Sequence, residues 1–243
     1  MARPLGVRGH QKRSFLVACS KANGEIFVES LDEATTMLAL DIDPRVRSIT
    51  PQPFTVRLDL EESFSTRSEA IRATPAPQRV VAVNGQPSLE LIYTPDFVVE
   101  LATPVRLVVE SKSTREIENI GDALARRGRI LNSLGFRYLV VPSTELDHRG
   151  LHANLSLLRD TTKYQRENDT VSMRSELHDL LSSRSGPFLL GEIRGHVHDL
   201  GIYLGLISGA IACDLRSGRL GVDTRLWLSH GDLGHLQLLA LER

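Results

Sequence analysis

Residues 89–112 read LELIYTPDFVVELATPVRLVVESK, and this stretch decides the fold. Leu89–Leu101 and Val105–Ser111 are rich in Val, Ile and Leu, side chains that fit a pleated, half-buried surface, and a Pro-containing turn separates them. The pattern predicts a β-hairpin. Asp96 lies on its first strand and Glu110 follows 14 residues later. Glu110 and Lys112 are two apart on the second strand and so point to one face. Downstream the period changes: Ile117, Ile120, Leu124, Leu131 and Leu134 line one face of a helix of about five turns. Gly135 closes that helix, and Phe136–Val141 reads as a buried strand ending at Pro142. Upstream, residues 30–40 form a helix that Ser30 can cap and Pro44 ends. Val46–Ile49 and Gln52–Leu60 read as strands, residues 61–78 as a polar surface excursion, and Arg79–Val83 as a short strand before an Asn84-Gly85 turn. Helix, strands, helix, strand predicts a mixed α/β sheet flanked by helices.

Beyond Pro142 the character turns helical. Residues 160–170 contain almost nothing apolar and are the expected boundary between a unit at 1–160 and a smaller one at 170–243. Helices are expected at Leu151–Arg159, Val171–Ser183, Leu189–Val197 and Leu200–Cys213, then a hairpin over 214–229 with Ser217-Gly218 at its turn. Three short helices and a hairpin are the layout of a winged-helix module. The third helix carries no Arg, Lys, Asn or Gln, the donors that read base edges. Its Ile202, Tyr203, Leu206 and Ile207, with Ile211, exceed what a small core needs, so residues 170–243 are expected to dock a protein partner.

Pro95-Asp96-Phe97 followed by Glu110-Ser111-Lys112 is the pattern of a PD-(D/E)XK nuclease site. Two acids can hold Mg²⁺ through oxygen ligands, and Lys112 can orient a water or neutralise charge developing on a phosphate. The bland reading is a set of solvated strand-edge charges. Against it, Glu110 ends the apolar run Leu107, Val108, Val109, where a charge is costly without a partner. A basic stretch also follows: over 111–137, Lys112, Arg115, Arg126, Arg127, Arg129 and Arg137 face only Glu116, Glu118 and Asp122. Of these, Arg115, Arg126, Arg127 and Arg129 are the DNA-contact candidates; a second basic patch is the N-terminal arm of Arg3, Arg8, Lys12 and Arg13.

Over residues 27–142 the chain resembles the catalytic domain of TnsA-like endonucleases, the restriction-enzyme-like subunit of heteromeric DNA transposases. Five motifs carry the resemblance in order: Glu29-Ser30 with Glu33, Asp43-Pro44 with Val46, Gln52-Pro53-Phe54, Asp96, and Glu110 with Lys112. The resemblance implies a restriction-endonuclease-like fold in a bacterial, nucleoid-associated protein that nicks one strand of double-stranded DNA at transposon ends. A DDE transposase would cut the other strand and an AAA+ ATPase would regulate. It further implies that Glu33, Asp96 and Glu110 hold Mg²⁺, with Mn²⁺ as a substitute, that Lys112 assists catalysis, and that Gln52 supports the site; Glu29, four residues before Glu33 and able to share its helix face, is a reserve ligand. Relatives with glutamine at the Glu110 position make Glu110 a less firm ligand than Asp96. Ser30 and Glu33 also fit a capping box, a purely structural use of Glu33.

With 243 residues, 41% hydrophobic and 24% charged, the chain is long enough for one elaborated domain or two small ones and unlike a disordered or collagen-like chain. The 29 Lys plus Arg against 30 Asp plus Glu exclude a globally basic nucleic-acid binder, so any such function rests on local patches. No apolar run approaches transmembrane length, which predicts no membrane partner. Cys19 and Cys213 lack metal-ligand spacing, and the basic N-terminus lacks the apolar core of a secretory signal, so a reducing, cytoplasmic location is expected. His178, His196, His198, His230 and His235 lack familiar zinc spacing and are expected at the surface. No Walker loop or G-x-G-x-x-G occurs. Rival readings are a stand-alone nuclease of phage defence or DNA repair and a non-catalytic DNA-binding scaffold.

Overall fold

The computed structural model describes residues 15–22, 24–73, 91–166, 170–182 and 186–242. The strand expected at 79–83 and the N-terminal basic arm lie outside them. Strands β1 (Phe15–Cys19) and β2 (Gly24–Val28) form an antiparallel hairpin that leads into helix α1 (Leu31–Ile42). Ser30 caps α1, its hydroxyl accepting the Glu33 N–H at 3.1 Å, and nine consecutive residues of the helix, Ala34–Ile42, are buried. After α1, Asp43 turns the chain by accepting from Arg45, whose guanidinium also reaches the Leu239 carbonyl at 2.7 Å.

Next come β3 (Val46–Pro51), β4 (Thr55–Arg57), β5 (Glu62–Phe64), α2 (Arg67–Arg72), β6 (Ile92–Tyr93), β7 (Phe97–Leu101), β8 (Arg106–Lys112), α3 (Thr114–Ser133) and β9 (Arg137–Pro142). The central sheet runs β3-β7-β8-β9. β3, β7 and β8 pair antiparallel, and β9 joins β8 in parallel, a connection that needs the crossover helix α3. The mixed α/β sheet flanked by helices is present, and the expected hairpin is present in its β7–β8 part. Successive residues of β7 and β8 face opposite sides. Phe97, Val99, Leu107 and Val109 join Met37 and Leu38 of α1 in the larger core, while Val98 and Val108 join Ile130 and Leu131 of α3 in the smaller.

Two expected strands are broken. Leu89–Leu101 divides into β6 and β7, and Gln52–Leu60 shrinks to β4. β4 and β6 belong to a second sheet, β5-β4-β6. Each break holds a proline, Pro95 or Pro53, which cannot donate to a ladder, and Gln52 adopts a left-handed φ of 41°. The 61–78 stretch, expected to be irregular, contains β5 and α2, the latter closed by a Thr66–Glu69 capping box.

The remaining elements are α4 (Ser143–Leu146), α5 (Leu151–Thr162), α6 (Thr170–Ser182), β10 (Phe188–Leu189), α7 (Leu190–Ile193), α8 (Asp199–Ser208), β11 (Ile211–Ala212) and β12 (Arg225–Leu228). The helix expected over 189–197 is a single turn, because β10 claims its start and Gly195 turns the chain at φ 100°. Gly209, at φ 73°, ends α8 before the expected Cys213, and Ile211–Ala212 pair with β12 instead. The hairpin's first strand is therefore β11, not 214–217, and Ser217-Gly218 is not its turn. The small sheet is ordered β10-β12-β11.

The polar 160–170 stretch does not interrupt the core. Leu155 and Leu158 of α5, Leu177 of α6, Ile202 and Leu206 of α8, and Leu241 belong to the same cluster as Met37 and Phe97. Ile202, Leu206 and Ile211 are buried, and Tyr203 and Ile207 pack partly buried against that core. The apolar surface expected on α8 is thus absent: the surplus serves a core shared with α1 and α5. Cys19 and Cys213 are free and buried. No helix among the described residues is long and apolar enough to cross a membrane.

Candidate active site

β7 begins and β8 ends at one corner of the central sheet: Asp96 sits at the break before β7, Glu110 and Lys112 lie at the C-terminal end of β8, and α1 carries Glu33 in its first turn. Asp96 is placed by backbone bonds: its carbonyl accepts the Gln52 N–H at 3.0 Å, and its Oδ2 accepts the Ser111 N–H at 3.1 Å. The Lys112 ammonium lies between the acids, 3.0 Å from Glu110 Oε1 and 4.0 Å from Asp96 Oδ2. The alternation on β8 puts Glu110 and Lys112 on the α3 face of the sheet, as expected from their spacing of two.

Burial drives the Asp96 carboxyl up to about 7, with Lys112 and the Ser111 N–H pulling it down and the charges of Glu33 and Glu110 pushing it up. Glu33 is therefore close enough for its charge to be felt at Asp96. It also serves its own helix, its carboxylate accepting the Glu29 N–H at 2.8 Å. Burial opposes the charge on Lys112, but Asp96 and Glu110 outweigh it and raise its pKa.

Glu110 is held from several sides. Its Oε1 accepts from Arg127 at 3.1 Å as well as from Lys112, its Oε2 accepts the Tyr138 hydroxyl proton, and its side chain is only 3% exposed. This answers the desolvation cost anticipated from the sequence. Arg127 stacks over the Tyr93 ring at 4.7 Å, and Tyr93 is buried beneath the cluster, its hydroxyl pushed well above its usual value by burial and then by Glu110. The Tyr138 ring lies against α3 at Gly128, where an added Cβ would stand 3.1 Å from its Cδ1.

Arg127, expected on the DNA surface, is thus a partner of Glu110. Arg126 reaches the Leu58 carbonyl at 2.8 Å, while Arg115 and Arg129 are exposed on α3. Glu29 is exposed just before α1, and Gln52 meets the site through its backbone. Gln52 is in a turn, not the expected strand. His178, His196, His198 and His230 are exposed; His235 is half-buried, with Nε2 2.9 Å from the Leu206 carbonyl.

Tyr93 and Tyr138 were not legible as site residues. The available signal was a phenol within an otherwise apolar strand, FRYLVV, where a buried hydroxyl wants a partner.

Among the described residues no group of three or more His, Cys, Asp and Glu is close enough to hold a metal ion. Asp96 and Glu33 still offer the hard oxygen donors that Mg²⁺ prefers, and Mg²⁺ is commonly held by one or two carboxylates with water and phosphate completing its shell. Asp96 is a buried carboxylate for which added positive charge is favourable, so the chemistry of this donor set fits such an ion. No family model matches the chain, and no curated protein matches it.

Proposed function

We propose that the protein is a metal-dependent DNA endonuclease of PD-(D/E)XK type that nicks one strand at transposon ends in concert with a DDE transposase. The observation that carries this reading is the Asp96–Lys112–Glu110 cluster, in which one ammonium stands 4.0 Å and 3.0 Å from two carboxylates at a strand end. The order of the five sequence motifs supports the transposition context and an AAA+ ATPase as second partner. The hairpin-borne site, with α1 and α3 on opposite faces of the mixed sheet, supports a restriction-endonuclease-like fold. The succession α6, β10, α7, α8, β11, β12 with sheet order β10-β12-β11 supports a winged-helix module.

Asp96 and Glu33 would hold Mg²⁺, or Mn²⁺ in its place. When bound, the ion supplies positive charge to the phosphoryl oxygens and eases ionisation of water. The chain's own residues supply the rest. The Lys112 ammonium, fixed by Glu110, orients the attacking water or neutralises charge growing on the scissile phosphate. Burial around Asp96 and Glu110 strengthens each of these interactions by lowering the local dielectric. Arg115 and Arg129, exposed on α3, are available to backbone phosphates of double-stranded DNA.

The test is nicking of a supercoiled plasmid with Mg²⁺ or Mn²⁺ by the purified chain, alone and with its transposase. Wild type should convert supercoiled to open-circle DNA only with the metal, and Asp96→Ala and Lys112→Ala should not. Nicking by Asp96→Ala at the wild-type rate sinks the assignment.

A further inference from the structure

Glu110 is the most constrained side chain of the cluster. Lys112 and Arg127 occupy its Oε1 at 3.0 and 3.1 Å, and the Tyr138 hydroxyl occupies its Oε2. A metal ligand must direct a lone pair at the cation, whereas donors from β8, α3 and β9 already take three of the about four lone-pair sites of this carboxylate and fix its orientation. Turning Glu110 toward an ion would leave the Arg127 guanidinium, held over Tyr93, and the Tyr138 hydroxyl without their acceptor in a buried place. Asp96 differs: it accepts the Ser111 N–H, Lys112 stands 4.0 Å away, and 21% of its side chain is exposed.

Building on the nuclease reading above, we propose that Glu110 is a positioning residue and not a metal ligand. Arg127 and Tyr138 fix its carboxylate, and that carboxylate holds the Lys112 ammonium beside Asp96, while the cation rests on Asp96 and Glu33. Arg127 and Tyr138 thereby become positioning residues for the reaction although neither reaches the substrate.

The experiment is calorimetric titration of the full chain with Mn²⁺, paired with kcat and KM for plasmid nicking, on wild type, Asp96→Asn, Glu110→Gln and Tyr138→Phe. The Gln and Phe variants keep the shape of the parent side chains, and thermal melts monitor the fold. Glu110→Gln and Tyr138→Phe should bind Mn²⁺ within about threefold of wild type, with kcat lowered about tenfold or more and KM unchanged, whereas Asp96→Asn should bind about tenfold more weakly or worse. Loss of Mn²⁺ affinity in Glu110→Gln equal to that in Asp96→Asn makes Glu110 a ligand and overturns this inference while leaving the nuclease reading intact. Tyr138→Phe with wild-type kcat also overturns it. A wild type that binds no Mn²⁺, or an Asp96→Asn that binds as wild type does, overturns the nuclease reading itself.

Discussion

Asp96→Asn should make the metal-free protein more stable above neutral pH. Burial pushes the Asp96 carboxyl up to about 7 in the fold from an ordinary value of 3.8. Because the folded value is the higher, the unfolded chain releases its proton first as pH rises. This group therefore lowers stability progressively from about pH 4 to about pH 7 and has no further effect above that. A shift of about 3 units at ~1.36 kcal/mol each sets a ceiling of about 4 kcal/mol, which solvent screening at a side chain 21% exposed reduces to about 2 kcal/mol. The asparagine removes the charge, keeps an oxygen for the Ser111 N–H, and leaves Lys112 its closer partner, Glu110 at 3.0 Å. For a chain of this size about 2 kcal/mol corresponds to a rise of ~4–8 °C in Tm. The assay is thermal melting of both proteins in EDTA at pH 5 and pH 8. The variant's advantage should be larger at pH 8, and adding Mg²⁺ should stabilise the wild type more than the variant. An advantage equal at the two pH values, or none at pH 8, would refute the account of Asp96 as a buried carboxylate poised for a cation.

Asn154→Leu should destabilise by about 3 kcal/mol in urea denaturation, because a buried amide that accepts the Leu220 N–H and donates to the Leu215 and Gly218 carbonyls is lost and leaves them unpaired. Gly128→Ala should leave stability within about 1 kcal/mol, the helical gain offsetting a contact at 3.1 Å, yet lower the nicking rate by displacing Tyr138 and with it Glu110; melting curves and plasmid nicking measured side by side check it.

Local chemistry made much of this protein legible in one dimension. Apolar runs of β-branched residues announced the β7–β8 hairpin, the change of period announced α3, and a charged residue ending an apolar strand announced that Glu110 needed a partner. These depend on neighbours within a few residues, and spacing along a strand or helix determines them. Chain-distant contacts decided the rest. Pro95 splits one expected strand between two sheets and Pro53 shortens another, outcomes that depend on what the β4–β6 pairing offers in exchange. The apolar α8 was surplus for a small module but not for a core shared with α1 and α5. Arg127 looked like a DNA contact because its charge is visible in the sequence, whereas its stacking over Tyr93 and its pairing with Glu110 are not. Tyr138 could join Glu110 only after α3 brought β9 back alongside β8, since a hydroxyl 28 residues away from its acceptor finds it through tertiary packing alone.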